Sequence, residues 1–394
     1  MNALLHVGKI ITVNLLILAV LVAGIEFYFY RNHFRGAFVV AHPYLNHTWP
    51  ANDSWQHREF INKNPEFPTP YTTRYNSQSW VETYDVQRKK AKNTFRIFYV
   101  GDSFTEGTVH MDGSVPSLVE TELNRRFGTD RLRFEVINTG TSSYSPVLYF
   151  ILITRYLVQY DPDLIVVNVD MTDDFDDFKY RETLIVDSAG NPVAAPPRDI
   201  VDAAYIDTKA GPVAMTPRRK LWMWMYLHSY TFQHIVRQRA PVPADRIAVS
   251  PDTYPRWAWV RHDWDDRTTS QVEFSMDVLA RIADVCQARD IQLLMTGVPH
   301  FDQLAVGADG SPRWSRRPHD ELENLARRKG VHYFSSLDFM AGFVNSRNRD
   351  AYYYRGDMHF NPNGYALWAK AHVSAITDPR MGILPEGAWR NNVP

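Results

Sequence analysis

From Phe95 to Ala375 short β-prone runs alternate with longer stretches of helical periodicity, and this alternation constrains the fold more than any other feature. Phe95–Val100 is a compact run of aromatic and β-branched residues that stops at Gly101. Val115–Phe127 follows with helical spacing and with Pro116 suited to a first turn. Phe134–Ile137 reads as a second strand and Pro146–Tyr160 as a helix. Asp163–Val169 is nearly continuous in apolar residues, as a strand covered on both faces must be. The pattern resumes with helices over Ser270–Arg289, Asp320–Lys329 and Gly364–Ala375, and with strands over Ile291–Met295 and Val331–Phe334. Strands separated by helices predict an α/β chain built on a parallel sheet with helices on both faces.

The alternation is interrupted once. Residues 176–266 are far too long for an ordinary connection of about 2–6 residues and are read as an insertion beside the core. Thr183–Val186 with the turn Ser188–Asn191 predicts a hairpin there, and Lys220–Arg239 carries Leu221, Met225, Phe232 and Val236 at helical spacing. Before the alternation, residues 31–94 are rich in Pro, Asn and Trp and predict an extended strap. Residues 95–375 then form the main domain, and 376–394 a tail.

The first thirty residues form a separate unit. Ile10–Tyr30 is apolar apart from Thr12, Asn14 and Glu26 and closes on Phe27–Tyr30. As a helix it would reach about 31 Å at ~1.5 Å per residue, close to the ~30 Å of a bilayer core. Aromatic residues at its end suit a membrane interface. Lys9 precedes the run and Arg31 and Arg35 follow it, so charge alone does not set the orientation. Met1–Lys9 is too short to fold, which puts the N-terminus inside and the remaining chain outside, in a periplasmic or cell-surface position. A cleaved signal peptide and a buried core helix are the competing readings.

Composition narrows the function. Of 394 residues, 43 are Lys or Arg and 44 are Asp or Glu, a net charge of −1 that offers nothing to a nucleic acid. The single cysteine, Cys286, excludes a disulfide framework and a multi-cysteine zinc site. It falls on the apolar side of a helix and reads as core. No cofactor is implied.

Three segments fall where a parallel sheet places its sites, beyond the C-terminal ends of strands. Gly101-Asp102-Ser103-Phe104-Thr105-Glu106-Gly107 puts a serine at a strand-to-helix turn, which exposes its hydroxyl and aims backbone N–H groups outward. Asp357-Met358-His359 precedes the closing helix, with a carboxylate spaced to orient an imidazole. A serine hydroxyl needs such a base to act as a nucleophile. Asp170–Phe175 is the exit of the third strand. Asp102 reads as a residue bonding its own loop, Glu106 as a charge at a helix N-terminus, and Asp170, Asp173, Asp174, Asp176 and Asp177 as a solvated turn with one or two carboxylates facing the pocket. His300 reads as a structural histidine. Trp222, Trp224, Trp257 and Trp259 read either as a wall for a sugar or acyl chain or as packing of the insertion.

Together these blocks resemble the SGNH (GDSL-type) hydrolase superfamily over roughly Arg74–Asp177 and Leu293–Ala375. Asn93–Ile97, Ile137–Gly140 and Asp161–Leu164 extend the similarity to membrane-anchored and secreted bacterial members, and the Asp-x-His spacing resembles one branch of them. The resemblance implies a three-layer α/β/α, flavodoxin-like fold and a serine esterase in which Ser103 attacks, His359 carries the proton and Asp357 orients His359. Its substrate would be an acylated small molecule or glycan. An O-acyltransferase using the same residues and a non-catalytic envelope-binding protein are the alternatives. Two positions depart from the pattern. The glycine of the second block falls at Ser143, or in another register at Gly140; a serine there keeps a donor N–H if its φ is negative. The asparagine of the third block falls at Asp173, which as a carboxylate would repel an oxyanion. Either Asp173 is protonated, or Asn168 or another group donates, or the oxyanion site is weak.

Overall fold

The computed structural model describes residues 2–33, 40–57, 64–67, 71–197, 254–306 and 312–389, with positions 221, 225, 229, 231 and 232. Its centre is a five-stranded parallel sheet made of β1 (Thr94–Val100), β2 (Arg133–Asn138), β3 (Leu164–Val169), β4 (Gln292–Gly297) and β5 (His332–Tyr333). The order across the sheet is β2-β1-β3-β4-β5, the flavodoxin-like order, so the chain reverses its direction of winding between β1 and β3. Ile97 pairs with Leu164 and Val100 with Val167, while Val169 pairs with Gly297. The C-terminal ends of β1, β3 and β4 are therefore neighbours along one edge of the sheet.

Side-chain alternation sends Phe98, Val100, Ile165, Val167, Leu293 and Met295 to one face. There they meet α4 (Pro146–Arg155) and α6 (Asp266–Gln287), with Leu322 and Leu325 of α7 (Arg317–Lys329) alongside. Ile97, Tyr99, Val136, Leu164, Val166 and Leu294 go to the other face, against α3 (Val115–Phe127) and α8 (Pro362–Ile376). Two cores separated by the sheet give the expected three layers. Cys286 is fully buried in the first of them. The tail beyond α8 returns to the second core, where Ile383 and Leu384 are buried.

The predicted helix bounds at Val115 and Phe127 coincide with those observed, because Pro116 opens α3 and Gly128 ends it. The stretch after Pro146 stops sooner than predicted, with the helix ending at Arg155 and a 3-10 turn over Leu157–Tyr160. Residues 31–94 are not simply extended. Val40–His42 pairs antiparallel with Asn46–Thr48, and Asp53–His57 with Tyr71–Tyr75. The predicted hairpin is present as Ile185–Val186 against Pro192–Ala194. Most of Lys220–Arg239, with Trp222 and Trp224, lies outside the described residues.

Helix α1 spans Asn2–His33. Its segment Gly8–Phe29 has a mean hydropathy of 2.5, is unburied, and is long and apolar enough to cross a membrane, as a retained anchor or signal sequence would be.

Candidate active site

The strand-to-helix turn after β1 is built on two residues without freedom of choice. A Cβ on Gly101 would lie 2.1 Å from Thr105 Oγ1 and 3.1 Å from the Asn168 carbonyl, so only glycine allows α2 (Ser103–Glu106) to fold back against β3. Asp102 caps α2, accepting the Phe104 N–H at 2.9 Å, as expected for a residue bonding its own loop. This leaves Ser103 partly exposed at the head of the helix.

Ser103 Oγ lies 2.7 Å from His359 Nε2, and also 3.2 Å from Asp102 Oδ2. The far side of the imidazole meets Asp357, with Nδ1 2.5 Å from Oδ1, and the same carboxylate oxygen accepts the His359 backbone N–H at 2.9 Å. Burial alone would raise the Asp357 carboxyl. The bonds and charge of His359 and the Met358 N–H overcome it and hold the group down at about 2. The loop is fixed by Arg349, which donates to the Asp357 and Tyr354 carbonyls at 2.6 and 2.9 Å. Two residues after His359, Asn361 caps α8 by accepting the Asn363 and Gly364 N–H groups. The Phe104 ring, fully buried, lies 4.6 Å from the imidazole and limits its rotation.

The other sequence-derived positions fall around this crevice in different ways. Asn168 is fully buried and its amide donates to Thr105 Oγ1 at 2.9 Å, tying β3 to α2. Gly140 is packed against the back of α2, where a Cβ would lie 2.3 Å from the Glu106 nitrogen, and its own N–H donates to Asn138 Oδ1. Ser143 is exposed, but its φ is +62°, not the negative value expected for a serine. The site keeps the left-handed backbone that a glycine would adopt freely, at a cost of order 1 kcal/mol or more for a side-chain-bearing residue.

That strained loop is held from three sides. Glu106 accepts both the Ser142 N–H and its hydroxyl at 2.8 Å, and the Tyr75 hydroxyl at 2.8 Å. His47 Nε2 lies 2.7 Å from the Ser142 carbonyl, and the Tyr180 hydroxyl donates to the Ser143 carbonyl at 2.5 Å. Glu106 stands in the first turn of α2, as the sequence predicts, and is in addition a buried tie between α2, the loop and the strap.

The acidic stretch is not a solvated turn. It forms the start of α5 (Asp173–Tyr180), and Asp170, Asp173, Asp174, Asp176 and Asp177 are all buried. Four of them find polar partners from other segments, while Asp176 pairs with Lys179 of its own helix. Asp173 accepts the Asp170 N–H at 3.1 Å and the Tyr149 hydroxyl at 3.3 Å, and Asp174 accepts the Tyr254 hydroxyl at 2.6 Å. Asp170 meets His300 Nε2 at 2.5 Å, a second buried imidazole–carboxylate pair beside the first. Burial, then the charges of Asp170 and Asp102, push the Asp173 carboxyl well above the usual range.

Asp177 sits behind the N-terminus of α4, accepting the Ser145 hydroxyl at 2.6 Å and the Val147 N–H at 2.9 Å. Burial raises it from 3.8 to about 7 against the pull of those donors. Because the folded value is the higher one, the stability it contributes is complete below the unfolded value of about 3.8 and lost as pH rises through about 7. Asparagine keeps an acceptor for both donors and cannot titrate. Asp177→Asn is expected to flatten the fall in melting temperature between about pH 5 and about pH 8, where one such group contributes up to about 1.4 kcal/mol per pH unit. Melting curves across that range check this, and an unchanged slope refutes it.

No family model matches the chain, and no curated protein does. Among solved structures, an acetyl xylan esterase is 12% identical, with 71% of this chain and 99% of that one covered and a TM-score of 0.38. An acetylxylan esterase from Geobacillus stearothermophilus is 9% identical, with 72% and 94% covered and a TM-score of 0.40. A psychrotrophic esterase from Pseudoalteromonas sp. is 10% identical, with 72% and 96% covered and a TM-score of 0.36. Likeness at this level is no basis for an activity; the chemistry has to come from the chain's own geometry.

Proposed function

We propose that this chain is a serine ester hydrolase of the SGNH type, anchored by α1 with its N-terminus inside, and that it cleaves an O-acyl ester outside the cytoplasmic membrane. The observation that carries this reading is the unbroken line from Ser103 Oγ through His359 to Asp357, at 2.7 and 2.5 Å, at the sheet edge where winding reverses. In it Ser103 Oγ attacks the ester carbonyl while His359 Nε2 takes its proton. The same imidazole returns the proton to the leaving alcohol, and an acyl-enzyme remains on Ser103. Water, deprotonated by His359, then attacks the acyl carbon; the bond to Ser103 Oγ breaks, the imidazolium returns its proton to Oγ, and the acid leaves. Asp357, ionised throughout the working range, balances the imidazolium formed in each half-reaction.

The oxyanion needs donors at the head of α2. The Ser103 N–H is one; Ser143 has the positive φ that the sequence reading sets against a serine donor, but its backbone still carries an N–H, so on its braced left-handed loop it is the second candidate. Burial favours the neutral form of Asp173, which weakens the objection that its acidic side chain raises. Acylated envelope or extracellular glycan is the substrate class that fits this placement. A sugar hydroxyl in place of water would make the same machinery an O-acyltransferase.

Labelling with a fluorophosphonate tests the reading directly. The folded protein is expected to carry one adduct, on Ser103, and to release free acetate from p-nitrophenyl acetate without any glycan acceptor. Absence of labelling on folded protein removes both enzymatic readings and leaves a binding protein. Acetate transfer that appears only with a glycan acceptor selects the transferase.

A further inference from the structure

Where the inserted segment rejoins the described chain, it comes up against the crevice. Trp257 and Trp314 pack ring to ring at 4.6 Å, and both abut the His300 ring at 5.4 and 5.8 Å. His300 in turn lies 5.3 Å from Phe104, the ring that backs His359. From the neighbouring position, Arg256 reaches Met358 Sδ at 3.8 Å, between Asp357 and His359. Two rings, His300 and Phe104, therefore stand between the tryptophan pair and the candidate catalytic imidazole.

Both tryptophans are only half-buried. With Val260, Arg261, His262, Asp263 and Arg313 they line a cavity of about 430 Å³, within the usual ~300–1,000 Å³ of a ligand site. Its lining is mixed in character. An acyl-chain pocket would be apolar throughout, whereas this one sets indole surface beside two exposed guanidinium groups and one carboxylate, Asp263. Arg313 is oriented by Asp302 at 3.0 Å.

The combination selects a ligand. The electron-rich face of an indole attracts the polarised C–H groups on the flat side of a pyranose ring. The planar fork of an arginine matches a carboxylate in a two-point bond. We propose that the Trp257–Trp314 cavity is a subsite for carboxylate-bearing sugar units of an acylated polysaccharide, holding the chain on one side of the residue whose ester meets Ser103. The inference rests on the ester-hydrolase reading for what happens to the acyl group, but binding at the subsite needs no turnover.

The test uses the full-length chain in detergent micelles carrying Ser103→Ala, titrated calorimetrically with tetragalacturonate and with xylotetraose. Tetragalacturonate is expected to bind at least about tenfold more tightly than the neutral sugar. Arg261→Ala and Arg313→Ala are each expected to weaken it about fivefold to tenfold, with Arg313→Lys recovering part of the loss. Trp314→Ala is expected to abolish binding and Trp314→Phe to retain it, with melting temperatures reporting that each variant is folded. No binding of tetragalacturonate, equal affinity for xylotetraose, or indifference to both arginine substitutions overturns the proposal. Because the nucleophile is absent from the titrated protein, such a failure leaves the esterase reading standing, and a failed fluorophosphonate reaction leaves the subsite standing.

Discussion

Ser103→Ala is expected to lower kcat/KM for p-nitrophenyl acetate by about 10⁴-fold or more. The removed atom forms the covalent bond, and nothing else at the head of α2 can replace it. Asp102 is the nearest carboxylate, but it is fixed as the cap of α2. His359 keeps its bond to Asp357 and faces an empty position. Residual rate then comes only from the backbone donors and from general-base catalysis of direct water attack. His359→Ala should fall to a similar level, and the double variant hardly further, because nucleophile and base act as a unit. Ser103 is partly exposed and its hydroxyl makes only the bonds to Asp102 and His359, so the melting temperature should move little. Retention of activity within tenfold in Ser103→Ala would place the chemistry elsewhere.

The parts of the fold that were legible in the sequence are those governed by local pattern. β1 and β3 are read from apolar runs, and α3 from Pro116 and its buried stripe, because each of these signals is complete within a dozen residues. The convergence of Ser103, His359 and Asp357 was legible as block order and Asp-x-His spacing. What stayed hidden are features whose partners come from distant segments. The acidic stretch reads as solvent-exposed, since five carboxyls in eight residues ordinarily seek water. Tyr149, Tyr254, Ser145 and His300 supply the donors that let it be buried, and no spacing announces them. The ties of Glu106 are hidden for the same reason, with Tyr75 on the strap and Ser142 beyond β2 as its partners. The positive φ of Ser143 follows from three external tethers rather than from its own preference. Trp314 lies far along the chain from Trp257, so the tryptophan pair emerges only once both stand beside His300.

Asp357→Asn is expected to lower kcat by about 10³–10⁴-fold with KM little changed. The carboxylate stands among three donors, His359 Nδ1–H, the His359 backbone N–H and the Met358 N–H. An amide offers them one oxygen and sets an NH₂ group where a second acceptor stood. In one orientation that NH₂ opposes a backbone N–H and the loop must shift. In the other it faces Nδ1 and stabilises the tautomer whose proton sits on Nε2, pointing at Ser103, where it cannot act as a base. Either way the negative charge opposite the developing imidazolium is gone. Asp357→Ala loses the charge and the orientation without forcing the wrong tautomer, so it should be no worse than the asparagine variant. Since Asp357 does not touch the substrate, the loss belongs in kcat, measured on p-nitrophenyl acetate at saturating concentration. An asparagine variant within tenfold of wild type would mean that Arg349 and Phe104 alone hold His359 in place, and that the carboxylate serves the loop rather than the proton transfer.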